Sequence, residues 1–171
     1  VELTLLLDSG TDMHSFNPSV DDILRILTCD LLIYVGGESD AWVDDVLKNS
    51  QSGGPKTVNL LEALGDAAKE EELTEGMQEE KSFSGREEEA EYDEHVWLSL
   101  KNAELLCASL EEALAGIDPS NAEVYEANTA AYAEKLGALG AEFERIAAEA
   151  RVKTLLFGDR FPFRYLADDL G

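Results

Sequence analysis

An α/β fold with a parallel β-sheet is what the sequence predicts, and three features carry that expectation. Wholly apolar runs of strand length alternate with amphipathic helical stretches over residues 1–60, as βαβ units do when helices cover both faces of a parallel sheet. Glycine, proline and asparagine punctuate each change of period. In the second half one helical period persists over roughly 33 residues, about 50 Å at about 1.5 Å per residue. That is long for a small α/β domain.

Taken in order, Leu3 to Leu7 reads as a first strand ended by Asp8-Ser9-Gly10. Asn17 is the expected N-cap of a helix with Pro18 at N1, carrying Val20, Ile23, Leu24 and Leu27 on one face. Leu31 to Val35 is a continuous apolar strand broken by Gly36-Gly37, after which Ser39 caps a helix bearing Trp42, Val43, Val46 and Leu47. Gly53-Gly54-Pro55 turns the chain into a third strand at Thr57 to Leu60. Residues 70–94 are crowded with glutamate and aspartate and lack apolar periodicity, so they read as a surface loop. Ser99 then caps a helix with Ala103, Leu106, Cys107, Leu110, Ala113 and Leu114 inward, ending near Gly116. Asp118-Pro119 starts the long helix, which runs to about Arg151 and admits a bend at Gly137 and Gly140. Thr154 to Phe157 reads as a further strand, and Phe161 to Leu170 opens a further helical unit.

Charge restricts the partners. The 171 residues hold 37 acidic and 13 basic side chains, a formal net charge of -24, which repels nucleic acid and anionic lipid and attracts cations. No apolar run approaches the roughly 20 residues of a membrane span. The two cysteines, Cys29 and Cys107, lack CxxC spacing and read as small apolar side chains. The first residues lack the basic start and cleavage site of a signal peptide, so an exported protein would have its signal segment absent from this chain.

Only two histidines are present. His14 leaves the first expected strand at its carboxyl end, where open parallel sheets bind ligands. His95 stands where the acidic loop rejoins the body. Neither has a Ser or Cys constellation beside it, so nucleophilic catalysis has no support and no enzyme is expected. By position alone, each could equally be a surface or hydrogen-bonded loop histidine.

The segments around them are more specific. Asp12-Met13-His14-Ser15-Phe16-Asn17-Pro18-Ser19 and Tyr92-Asp93-Glu94-His95-Val96-Trp97-Leu98-Ser99 resemble, in the same order, two histidine motifs of the zinc and manganese substrate-binding proteins of ATP-binding-cassette importers. Cys29-Asp30-Leu31 to Trp42, and Gly158 to Leu166, are similar to further segments of that family. The resemblance covers nearly the whole chain outside the acidic loop. It implies two α/β lobes joined by a long rigid helix, a metal ion between the lobes, and His14 and His95 as ligands.

Two imidazoles supply half of a tetrahedral zinc site, with Zn–N of about 2.0–2.1 Å. The family's other ligands come from the second lobe. An ungapped match puts the first of them at Arg160, which cannot bind a cation, so Asp159 is the candidate third ligand, with capping or pairing to an arginine as its other reading. The fourth would lie beyond residue 171. Asn17 stands where the family often has Glu, and Leu100 where it usually has Pro. The expected organisation is a first α/β lobe over 1–117 (acidic loop about 65–94), a connecting helix over 118–151, and the start of a truncated second lobe over 152–171. A second chain completing the fold is one way to supply the rest.

The resemblance implies an extracytoplasmic receptor, periplasmic or lipid-anchored at a bacterial surface, which captures Zn²⁺ and delivers it to an ABC permease. Mn²⁺ is the alternative cargo; imidazole donors favour zinc. The alternative function is a truncated, non-transporting remnant whose acidic loop is an interaction or weak cation-binding surface.

Overall fold

The computed structural model describes residues 1–7, 13–50, 53–71, 92–157 and 161–171. Two parallel strands form its sheet, β1 (Leu31–Tyr34) and β2 (Lys56–Asn59), paired Leu31 to Lys56 through Tyr34 to Asn59. Around them lie α1 (Val20–Thr28), α2 (Ala41–Lys48), α3 (Leu60–Leu64), α4 (Leu100–Ile117), α5 (Ala122–Glu149) and α6 (Arg164–Leu170). The β1–α2–β2 crossover is the βαβ unit expected from the apolar runs. No helix among the described residues is long and apolar enough to cross a membrane.

Two small cores hold these elements. Ile26 of α1, Leu32 of β1 and Val43 of α2 form one, with Leu6, Cys29, Trp42, Val46 and Leu47 packed on it. Leu61 and Leu64 of α3, Val96, Leu106 of α4 and Tyr165 of α6 form the other. The helix of residues 164–170 therefore packs into the same core as α3 and α4. Its attachment is polar as well: Ser99, the N-cap of α4, donates from its hydroxyl to Asp169 and accepts from Asn102 N–H. Lys69 pairs with Asp168, and Arg164 donates to the Glu70 carbonyl. Cys29 and Cys107 are both free and half-buried, and burial raises each thiol's pKa.

Several expectations are corrected. Residues 3–5 are not a strand, and Leu3 and Leu5 are exposed. The same holds for 154–157, where Leu156 is almost wholly in solvent. An apolar run becomes a strand only when a neighbour completes its hydrogen-bond ladder, and no described residue does so here. The first helix begins after Ser19, not Asn17. Ser19 and Asp22 form a reciprocal capping box, which satisfies N–H groups that Asn17 and Pro18 would leave open. Its buried residue is Ile26; Val20 and Leu24 face solvent.

The long helix is confirmed in kind and shortened. Pro119–Asn121 is a 3-10 turn held by the Asp118 carboxylate, which accepts from Ser120, Asn121 and Tyr125; α5 follows with 28 residues. It packs on α4, with Gly137 beside Glu104 and Gly140 beside Leu100. At about 42 Å against about 27 Å for α4, it cannot be covered along its length. Leu136 is buried, whereas Val124, Tyr132, Leu139 and Ile146 of the same helix are exposed.

Candidate metal centre

The C-terminal ends of β1 and β2 meet the segment 92–95 to form the site. Gly36 and Gly37 leave β1 with φ of +89° and +76°, a region costly for side-chain-bearing residues. Space demands glycine as well. A Cβ on Gly36 would lie 2.4 Å from Asn59 Oδ1, and one on Gly37 would lie 2.3 Å from Glu94 Oε1. Asp40 then accepts from the N–H groups of Val35 (2.8 Å) and Gly36 (3.1 Å), tying the turn to the start of α2.

This arrangement changes the role of Ser39. Asp40, not Ser39, is the N-cap position of α2. The Ser39 hydroxyl lies 2.7 Å from Nδ1 of His14 instead, and its N–H donates to Glu94 Oε1 at 2.9 Å. His14 sits on a 3-10 turn, Met13–Ser15.

His95 is positioned from the opposite side. Asp93 N–H donates to the Lys69 carbonyl at 2.9 Å, and Glu70 bridges to Tyr92, so both ends of the acidic excursion are tied together. The Tyr165 hydroxyl accepts from Lys69 N–H (3.0 Å) and donates to the Asp93 carbonyl (2.8 Å). With its backbone thus fixed, Asp93 uses one carboxylate oxygen twice. Oδ1 accepts from His95 N–H at 2.8 Å and lies 2.9 Å from His95 Nδ1. That hydrogen bond lifts the His95 pKa above its ordinary value; burial opposes the lift, and the charges of Asp93, Glu94 and Glu71 add to it.

The two rings come together with centroids 5.7 Å apart. A zinc ion at about 2.05 Å from two imidazole nitrogens at tetrahedral angles would separate the ring centres by about 5.2 Å, so the spacing suits a shared cation. The acceptor on Nδ1 of His95 places the neutral ring's lone pair on Nε2, the nitrogen such an ion would use. Among the described residues, no set of three His, Cys, Asp or Glu is arranged to hold a metal ion. Asp159 lies outside the described residues, as does 72–91 of the acidic loop.

Sequence reasoning missed Asp93, Glu94 and Ser39. The two acids end an acidic stretch whose composition predicts a surface loop, yet each is only 7% exposed. The i, i+2 spacing of Asp93 and His95 was the available clue, since a carboxylate there reaches both the N–H and the ring of the histidine.

The family described as zinc-uptake complex component A, periplasmic, matches residues 1–171. The chain belongs to this family. Its members are metal-binding solute receptors rather than enzymes. The zinc-binding lipoprotein AdcA of Streptococcus pneumoniae serotype 4 is 32% identical over 170 residues, covering 98% of this chain and 32% of the relative. The manganese ABC transporter substrate-binding lipoprotein PsaA of Streptococcus pneumoniae is 28% identical, covering 100% of this chain and 53% of that protein. Zn(II)-bound AdcA from the same species superposes with a TM-score of 0.79 at 28% identity, over 99% of this chain and 33% of that one. The metal-dependent lipoprotein YcdH from Bacillus subtilis gives a TM-score of 0.78 at 26% identity, over 99% and 56%. The chain thus spans about a third to a half of the length of these relatives.

Proposed function

We propose that this chain captures Zn²⁺ outside the cytoplasm, at a lipid-anchored or periplasmic location, for delivery to an ABC permease. The observation that carries the reading is the convergence of its only two histidines, 5.7 Å apart, with the Nδ1 of His95 held by Asp93. Capture needs no covalent step. The Nε2 atoms of His14 and His95 would coordinate the ion, and Asp159 would supply an oxygen donor. Imidazole ligands favour zinc, and Mn²⁺ is the alternative cargo. The division into a first lobe over 1–117, a connecting helix over 118–151 and a further unit from 152 belongs to the same reading.

Chelator competition with Zn²⁺ and Mn²⁺ on the chain and on His14→Ala, His95→Ala and Asp159→Ala tests this. Tight zinc binding that both histidine variants abolish is expected, with a smaller loss for Asp159→Ala. Weak binding that salt removes and neither histidine variant alters would refute it, and would assign cation binding to the acidic residues alone.

A further inference from the structure

Glu94 is a carboxylate withdrawn from water beside one of the two histidines, and the sequence gives it no role. Its Oε1 accepts Ser39 N–H at 2.9 Å. Its Oε2 is buried without a hydrogen-bond partner among the described residues and lies 3.7 Å from Nδ1 of His14. The glycine at 37 is what lets it sit there. Burying a carboxylate oxygen without a donor is unfavourable unless positive charge or a polarised N–H faces it. The group that faces this oxygen is the Nδ1 edge of His14.

We infer that Glu94, acting through Ser39, is a positioning residue that holds His14 in its Nδ1–H tautomer and so presents Nε2 to the metal. The inference rests on the zinc-capture reading above. Two contacts combine. The N–H···Oε1 bond fixes the Ser39 backbone, which sets the hydroxyl 2.7 Å from Nδ1, where it accepts the ring N–H. The nearby Oε2 then favours a proton on Nδ1 over a lone pair there, because a lone pair facing a carboxylate is repelled. His95 receives the same treatment from Asp93 directly. The two histidines are thus oriented by two neighbouring acids in sequence, one by contact and one through a serine.

The test is the ring nitrogen chemical shifts of His14 in the metal-free chain at pH 9. Wild type should show mainly the Nδ1–H tautomer. Glu94→Gln keeps an acceptor for Ser39 N–H and removes the charge, and should move His14 toward Nε2–H. Ser39→Ala should do the same, while the His95 tautomer stays as in wild type. In both variants zinc affinity should fall about tenfold, the lower end of the range for groups that orient metal ligands, with thermal melts retained. An Nε2–H majority in wild type, or a His14 tautomer indifferent to both variants, overturns the inference. A tautomer that responds as expected in a chain that does not hold zinc supports the positioning and overturns the receptor reading alone.

Discussion

Asp93→Asn isolates the charge on the acid that orients His95. The amide oxygen can still accept from His95 N–H, now 2.8 Å from Oδ1, and from Nδ1–H, now 2.9 Å, so the geometry has a neutral substitute. What disappears is the main cause of the raised His95 pKa, leaving burial to push the value down against only the charges of Glu94 and Glu71. The pKa should therefore fall on NMR titration of the metal-free protein. Losing such a ligand-orienting carboxylate typically costs 10–100-fold in metal affinity, about 1.4–2.7 kcal/mol. Competition against a chelator of known affinity at pH 7.5 should show a loss in that range. The stability effect has a definite sign. A raised folded-state pKa contributes stability that is fully present below the unfolded value of about 6.5 and is lost as pH rises through the folded value. Asp93→Asn should therefore destabilise the metal-free protein more at pH 5.5 than at pH 9. A His95 pKa unmoved by the substitution would refute the reasoning, because it would mean that Asp93 does not set the ring's protonation.

Further expectations concern the same framework. Tyr165→Phe removes the hydroxyl shared by Lys69 N–H and the Asp93 carbonyl, at a cost of roughly 1–3 kcal/mol in urea unfolding at pH 8. Burial raises the Tyr165 pKa, so its contribution is whole below about 10 and fades as pH rises through the folded value; unchanged urea midpoints at both pH 8 and pH 10.5 would contradict this. Ser99→Ala should cost about 1–2 kcal/mol for the lost cap of α4 and leave Asp169 without that donor, and an unchanged urea midpoint would sink the idea. Gly37→Ala and Gly53→Ala both place a side chain at positive φ, costing about 1–2 kcal/mol each. Only the first meets Glu94, since a Cβ on Gly53 finds nothing within 4 Å, so only Gly37→Ala should weaken zinc binding; equal losses at the two positions would argue against a role for Glu94.

The βαβ unit was readable because the apolar run at 31–35 and the short segment at 57–60 are set off by glycine turns and separated by an amphipathic helix, even though only Leu32 and Val58 of the strands are buried. The runs at 3–7 and 154–157 have the same composition and are not strands here. Hydrophobicity specifies burial, whereas a strand also requires a partner, and pairing is not written in the segment itself. Capping failed in the same way. Asn17, Ser19 and Ser39 are all competent caps by type, and the choice falls to side-chain geometry three residues on. Asp22 gives Ser19 a reciprocal bond, while His14 and Glu94 draw Ser39 into the site. The histidines were legible because they are the only two, in recognisable segments. Their supporting acids were hidden within a run of similar residues.

That concealment has a physical content. In a chain of formal charge -24 most carboxylates are cheapest in water, yet Asp93 and Glu94 are the acids found buried among the described residues. Desolvating a carboxylate is costly unless donors or positive charge replace the lost water. Asp93 is compensated within the protein, since one of its oxygens takes both donors of His95. Glu94 takes Ser39 N–H on one oxygen, and its other oxygen, without a hydrogen-bond partner among the described residues, faces Nδ1 of His14 at 3.7 Å. The two acids therefore leave a net negative potential at the pair of imidazoles, inside a surface that excludes water from the carboxylates. A divalent cation held by those rings relieves that imbalance, and a neutral ligand does not. On the proposed zinc-capture reading, buried acids beside the two imidazoles would thus select for charge, while imidazole donors would favour zinc among the divalent ions.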